Sequence, residues 1–346
     1  MGKLGVAGFL REQLATVPPV EVADLTGKTV MVIGANVGLG FEATRHFARM
    51  NPARLILGCR SQSKGKAARK KIQWETGYQA VELWIVDLSK FSSVVAFVDK
   101  FEKDGGRLDI LLENAAIFPG TYTTTSDGWE TALQVNCLSL FLIALRLLPQ
   151  LIKTSVEHST RPRLVFVTSE VHFFSNIPKS ILQGENIYQA LNSNPNVSER
   201  YNDSKQNLTL IPVLDILFYQ ALNERLGIQS PLIVNGVNPG FCLSEIRREV
   251  SGALRAVTWL MEKLIARTTE EGSRQLVYAA VGGQDNEDQL RGAYISLARV
   301  SEASDFAIGA EGHVVQEKLW GEVLGILSKV DPRVEEVAKT YLATCA

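Results

Sequence analysis

The amino-acid sequence predicts an α/β fold: a single doubly wound Rossmann-type domain built on a parallel seven-stranded sheet. Three observations carry the prediction. Short apolar runs rich in β-branched residues alternate with helical patterns from Thr29 to about Ser169, which is the rhythm of βαβ units. The runs are apolar at successive positions rather than alternate ones, as strands covered on both faces require. The first run ends in a glycine-rich turn that opens directly into a helix, where a parallel sheet offers backbone N–H groups and a helix dipole to a phosphate.

The elements follow in order. Residues 1–26 read as an appended N-terminal extension, with an amphipathic piece around Phe9 to Leu14 and then Pro18 and Pro19. TVMVIG is the first buried strand, and FEATRHFARM after it has helical spacing. RLILGC and SKGKAARKKIQWE give the second strand and helix, VELWIV and SSVVAFVDKFEK the third, and LDILLE the fourth strand. A long helical pattern runs from about Trp129 to Ile152, and RLVFVTS is the fifth strand. Between His172 and Arg200 the pattern is irregular and reads as an insertion. Residues 201–226 are helical, with Pro212 expected to kink the helix by removing the N–H that bonds the Leu208 carbonyl. PLIVNGV is the sixth strand, 243–267 one or two amphipathic helices, 270–281 another helix, and GAYISL the last strand. A helix over 314–330 closes a C-terminal extension, so the domain spans 27–346.

Composition narrows the function. The hydrophobic fraction of 46% supports a well-buried core rather than a disordered chain. With 36 Lys+Arg against 37 Asp+Glu, no basic field invites nucleic acid. The four cysteines, Cys59, Cys137, Cys242 and Cys345, have neither disulfide-framework nor zinc spacing, and point to a reducing, cytoplasmic compartment. The longest apolar stretches contain Arg146 and Pro149, or Pro212 and Asp215, so no membrane span is expected. No metal site is expected.

Strand one ends Gly34-Ala35-Asn36-Val37-Gly38-Leu39-Gly40. Its spacing is G-x-x-x-G-x-G, and such a turn lets backbone N–H groups approach a pyrophosphate; the alternative is a tight connection with no ligand. The second strand ends at Arg60, with Lys64 one turn on. An arginine there, in place of the acid that reads a ribose 2′-hydroxyl, favours the 2′-phosphate of NADP; both cations also suit an ordinary solvated surface. Asp87 and Leu88 follow strand three, where they suit an adenine ring, or Asp87 serves as a helix cap. Asn114 and Ala115 follow strand four at the sheet edge where ligands bind. Strand five brings Ser169 to the same edge. Tyr201 and Lys205 stand one helical turn apart. The ammonium would lower a phenol pKa that is ordinarily ~10, and the serine hydroxyl would hold a carbonyl oxygen while tyrosine moves the proton. Asn136 is placed to anchor a water near the lysine.

Taken together, TGKTVMVIGANVGLG, VDLS, ENAA, QVN, VTSEVH, YNDSK and NPGFCLSE resemble the short-chain dehydrogenase/reductases of the extended-tail kind, similar to retinol-dehydrogenase-like and fungal secondary-metabolism members. The resemblance runs from about Leu25 to Ser301. It implies a bound nicotinamide cofactor and the tetrad Asn136, Ser169, Tyr201 and Lys205, with Lys205 also holding the nicotinamide ribose. It places Asn238, Pro239 and Gly240 beside the nicotinamide, Ser244 near its carboxamide, and segment 243–267 over it as a lid. Three departures stand out: V-I-G for the family's V-T-G, Glu113-Asn114-Ala115-Ala116 for N-N-A-G, and 31 residues between Ser169 and Tyr201.

The function expected is NADPH-dependent reduction of a carbonyl, or oxidation of a secondary alcohol, on a bulky apolar small molecule. Leu243, Ile246, Leu254, Val257, Trp259, Leu260, Met261, Leu264 and Ile265, with Phe173, Phe174 and Ile177, are expected to wall the pocket, or else to close the core. The alternative is a non-redox cyclisation, dehydration or isomerisation in the same pocket. The protein is expected to be a monomer or a homodimer. His172 reads as a polar wall residue and Cys242 as packing.

Overall fold

Eight strands form one sheet in the order β3-β2-β1-β4-β5-β6-β7-β8. The computed structural model describes residues 5–119, 121–175, 179–182, 184–192, 200–244, 246 and 252–343, with the backbone alone for residues 6, 179, 180, 200–209 and 252–257. The strands are β1 (Thr29–Ile33), β2 (Arg54–Cys59), β3 (Val81–Ile85), β4 (Ile110–Glu113), β5 (Arg163–Val167), β6 (Ile233–Asn238), β7 (Tyr294–Ser296) and β8 (Arg299–Ser301). All neighbours are parallel except β7 and β8. The expected seven strands therefore gain an eighth. It is a three-residue antiparallel edge, exposed at two positions, too short and too polar to leave a periodic signal.

Residues of β1 are all buried, because helices cover both faces. On one face lie α2 (Gly38–Arg49), α3 (Gln62–Thr76) and α8 (Thr269–Val281), with Val32, Phe47, Leu112 and Leu276 in one apolar cluster. On the other lie α4 (Phe91–Asp104), α5 (Thr131–His158) and α6 (Arg200–Leu226), with Met31, Phe141, Phe166 and Phe218 in a second cluster. Phe141 and Phe218 stack at 3.8 Å between ring centroids, tying α5 to α6.

Two apolar helices run through their internal prolines. Helix α5 passes through Arg146 and Pro149; by length and composition it suffices to cross a membrane, but 83% of its most apolar window is buried inside the protein. Buried midway along it, Arg146 pairs with Asp99 (3.0 Å), Glu102 (2.8 Å) and Asp331, the hydrogen-bonded pairing a buried cation requires. Helix α6 continues through Pro212, whose carbonyl accepts a bond from the Thr168 hydroxyl at 3.2 Å.

The C-terminal helices α9 (Ala310–Val330) and α10 (Arg333–Tyr341) pack on α6 and α5 respectively. Glu322 of α9 accepts from the N–H groups of Ile187 and Tyr188 and caps the short helix Ile187–Asn192 of the insertion. The remaining long helix, α7 (Gly252–Leu264), lies within the segment after β6. The N-terminal segment is no appendage. Helix α1 (Val6–Gln13) docks beside the loop after β6, and Val17 and Leu25 are buried.

Candidate active site

The strand order reverses between β1 and β4, and open α/β sheets bind ligands at that edge. There a cleft of about 1140 Å³ opens. The β1–α2 turn contributes Gly34, Asn36, Gly38 and Leu39. The end of β2 adds Arg60 and Lys64, and the end of β3 adds Asp87 and Leu88. Asn114 and Ala115 follow β4, Asn136 comes from α5, and Ser169 follows β5. Pro239, Gly240 and Ser244 come from the loop after β6. Of the cofactor and catalytic residues singled out in the sequence, all but Gly40, Tyr201 and Lys205 line this one space. A smaller cavity of about 490 Å³ beside Asn223, Arg291 and His313 holds none of them.

Gly40 lies beneath the turn rather than on the cleft wall. A Cβ there would strike the Asn114 side chain and the Gly34 carbonyl. Asn114 Nδ2 in turn donates to the Gly34 carbonyl at 3.0 Å, pinning the turn to β4. The N-cap of α2 is Val37, whose side chain accepts no hydrogen bond. The first-turn N–H groups therefore keep their capacity for an anion in the cleft. Arg60 is exposed at the rim, and α3 has no acidic residue in its first turn. Asp87 is not the cap of α4: that position is Lys90, and Asp87 Oδ1 instead accepts from the Ser89 N–H (3.1 Å) and hydroxyl (2.7 Å).

Asn136 lies in a π-helical turn, Gln134–Leu138, a distortion common at functional positions. Its side chain is committed to Ile117, donating to the carbonyl (2.9 Å) and accepting from the N–H (2.8 Å). This fixes the wall after β4. Ser169 caps a 3₁₀ turn, Glu170–Phe174, with Oγ accepting from the Val171 N–H at 3.4 Å. Tyr201 and Lys205 fall in the first turns of α6, and their side chains lie outside the described residues.

His172 is not a wall residue. It is 1% exposed, and its Nδ1–H donates to the Ser169 carbonyl at 2.7 Å while Nε2 accepts from the Ser304 N–H at 3.1 Å. Burial pulls its pKa down to about 4, against a smaller upward pull from the Ser169 carbonyl. The unfolded chain binds a proton near pH 6.5, so the stabilisation from a neutral imidazole is complete above that value and is lost as pH falls towards 4. Against His172→Gln, which cannot titrate, the stability gap should narrow by about 2–3 kcal/mol from pH 7 to pH 4.5. Urea unfolding of both proteins at the two pH values measures it; a constant gap would contradict a buried neutral His172.

Three cleft features escaped the sequence reading. Glu170 is buried, and its Oε2 accepts from Asn238 Nδ2 at 2.8 Å while Asn238 Oδ1 takes the Gly240 N–H at 2.9 Å. Burial holds its carboxyl above the usual range. Asp215, likewise buried and pushed up by burial, lines the cleft with the Cys137 thiol donating at 3.7 Å. Its distance along α6 from Tyr201, close to four full turns, was the available signal. Phe118 and Phe241 also line the space. By contrast, Trp259 is 51% exposed, and Leu260, Leu264, Leu243 and Phe174 are exposed as well. Phe173 packs on His172 and Tyr294. The expectation that Trp259 and Phe173 wall the cleft is overturned. From segment 243–267, Ser244, Ile246 and Thr258 line it among the described residues. Ile177 and the side chains of Leu254 and Val257 lie outside them.

A doubly wound sheet whose glycine turn, helix N-terminus and strand-end polar groups share one cleft defines a dinucleotide-binding enzyme architecture. The family model for short chain dehydrogenases matches residues 28–180. The chain is 32% identical over 329 residues to the short chain dehydrogenase/reductase dmxR8 of Cryptosporiopsis sp., covering 94% of this chain and 98% of that one. It is 35% identical over 341 residues to the short-chain dehydrogenase anuD of Penicillium roqueforti, covering 96% and 85%. The chain belongs to the short-chain dehydrogenase/reductase family of oxidoreductases. Solved structures similar in fold include a short-chain dehydrogenase from Sphingobium yanoikuyae in complex with NADPH (TM-score 0.53, 22% identity, covering 75% of this chain and 85% of that one). The oxidoreductase yciK from E. coli is another (TM-score 0.57, 21% identity, covering 80% and 98%).

Proposed function

We propose that the cleft binds NADP(H) and that the protein reduces a carbonyl, or oxidises the corresponding secondary alcohol, on a largely apolar small molecule. The observation that carries this reading is the meeting of the glycine turn, Arg60 with Lys64, and Ser169 in one cleft. The free first-turn N–H groups of α2 and the Gly34–Asn114 bond make a cradle for a pyrophosphate. Arg60 and Lys64 would take a 2′-phosphate, Asp87 with Leu88 an adenine, Ala115 the adjoining ribose, and Pro239, Gly240 and Ser244 the nicotinamide end.

When bound, the nicotinamide supplies the hydride equivalent. The chain's own residues do the rest. The Ser169 hydroxyl orients the carbonyl oxygen, Tyr201 gives that oxygen its proton, and Lys205 favours the phenolate left behind. Asn136 holds the adjoining wall by its two bonds to Ile117. In the alcohol-oxidising direction the same proton returns to Tyr201.

Phe118, Phe241, Ile246, Leu140 and Ile211 give the substrate half an apolar wall. A polyketide-, terpenoid- or alkaloid-sized ketone of secondary metabolism suits it better than a small hydroxy acid. Phe118→Ala should therefore raise KM for the best bulky ketone about tenfold, the effect of losing part of one aromatic burial, with Tm little changed. Trp259→Ala should move neither. The experiment that tests the whole reading follows NADPH consumption over a panel of ketones of increasing size. Turnover of small keto acids alone, or a KM unmoved in Phe118→Ala, would count against the apolar pocket.

A further inference from the structure

We infer that Gln13, in the N-terminal helix, is a positioning residue that holds loop 239–242 in its working place against the cleft. The inference rests on the NADP(H) reading, because that loop forms the cleft wall assigned to the nicotinamide end.

Gln13 is 4% exposed. Its carboxamide donates to the Phe241 carbonyl at 2.8 Å and to the Ile265 carbonyl at 2.6 Å, and its Oε1 accepts from the Phe241 N–H at 2.9 Å. A primary amide is the uncharged side chain that can donate twice and accept from one end, so both backbone groups of Phe241 are satisfied by one residue more than two hundred positions away. The two chain segments that Gln13 joins are themselves paired: the Leu243 N–H donates to the Arg267 carbonyl at 2.8 Å and the Arg267 N–H to the Phe241 carbonyl at 2.9 Å. Gln13 thus rivets both strands at the base of segment 243–267.

Arg267 completes the clasp from the other side. It is buried, and its guanidinium donates to the Glu12 carbonyl at 2.6 Å and the Pro239 carbonyl at 3.2 Å. Between the two lies Gly240, at φ +80°, where a Cβ would strike Arg267 and come within 3.0 Å of Gln13 Oε1. The loop needs glycine both for that backbone and for the clasp to close over it. Pro239, Gly240, Phe241 and Cys242 all line the cleft, so a loosened Phe241 backbone shifts a wall of it.

The test compares full-length wild type with Gln13→Ala, Gln13→Glu and Val17→Ala, reading NADPH affinity by intrinsic tryptophan fluorescence, kcat and KM for a ketone, and Tm. Gln13→Ala should weaken NADPH binding about tenfold and lower kcat, with Tm within a few degrees of wild type. Gln13→Glu adds a readout that bulk stability does not move. Its protonated carboxyl can still donate once, whereas the carboxylate faces two carbonyl oxygens, with the Arg267 guanidinium beside it and the Glu170 carboxyl bonded to Asn238 in the same loop, so its NADPH affinity relative to wild type at the same pH should fall as pH rises. Val17→Ala, which thins the packing of the same segment, should lower Tm and leave affinity unchanged. NADPH binding equal to wild type in both Gln13 variants, or an affinity loss in Val17→Ala matching that in Gln13→Ala, overturns the inference alone. A wild type that binds no NADP(H) overturns this inference and the proposed function together.

Discussion

Replacing Tyr201 with phenylalanine is expected to lower turnover by roughly 10²–10⁴, the usual contribution of a positioned general acid, while leaving NADPH affinity nearly unchanged. The substitution keeps the ring and removes only the hydroxyl, the proposed source of the one proton the carbonyl oxygen must receive. An unperturbed phenol at ~10 is a poor base near neutrality, and in the proposed mechanism Lys205, one helical turn on, is the cation that would lower it. The pH profile of the oxidative direction should accordingly show an activity-limiting group well below 10, and Lys205→Met should move that limb upward. Single-turnover rates with saturating NADPH separate this chemical effect from binding. A Tyr201→Phe enzyme with wild-type turnover would remove the residue from the mechanism and favour a non-redox use of the cleft.

Arg60→Ala is expected to weaken NADPH by about 1.5–3 kcal/mol, the range for hydrogen bonds to a charged partner, and to leave NADH almost untouched. Tenfold or more in Kd is the measurable consequence. The site has the geometry for this discrimination: Arg60 leaves the end of β2 at the cleft rim, Lys64 sits in the first turn of α3, and no carboxylate occupies that turn. Because Arg60 is exposed, the preference should shrink in high salt, as screening predicts. Calorimetric titration of both cofactors into wild type and Arg60→Ala measures it; equal affinities in the wild type would show that the rim does not read the 2′-phosphate.

The central strands were legible because β1, β2, β4, β5 and β6 are buried on both faces. TVMVI and RLILGC can sit nowhere but in a covered sheet, and the glycine turn follows the first of them as a phosphate site requires. Strand-end residues such as Asp87, Asn114 and Ser169 could be placed because parallel strands bring all their C-terminal ends to one edge. Where the reading failed, the physics was long-range. The apolar side chains of Trp259 and Phe173 indicated burial but not against what; one is half exposed, the other packs on His172 and Tyr294. Strand β8 is three residues held by its partner, with no local propensity to announce it. Gln13 carries no sequence signal, since its role exists only once Phe241 and Ile265 are brought beside it. The helices expected over 129–152 and 201–226 run on through Pro149 and Pro212, packed among α4, α9 and α10.

Isotope transfer from NADPH to product tests the proposed chemistry most directly. With NADPH deuterated at one face of nicotinamide C4 and a bulky ketone that the enzyme turns over, the reading predicts one deuterium at the carbinol carbon from one of the two C4 epimers and none from the other. One NADPH should be consumed per alcohol formed. Product that forms without NADPH oxidation, or that carries no deuterium from either epimer, would contradict hydride reduction and assign the cleft to different chemistry.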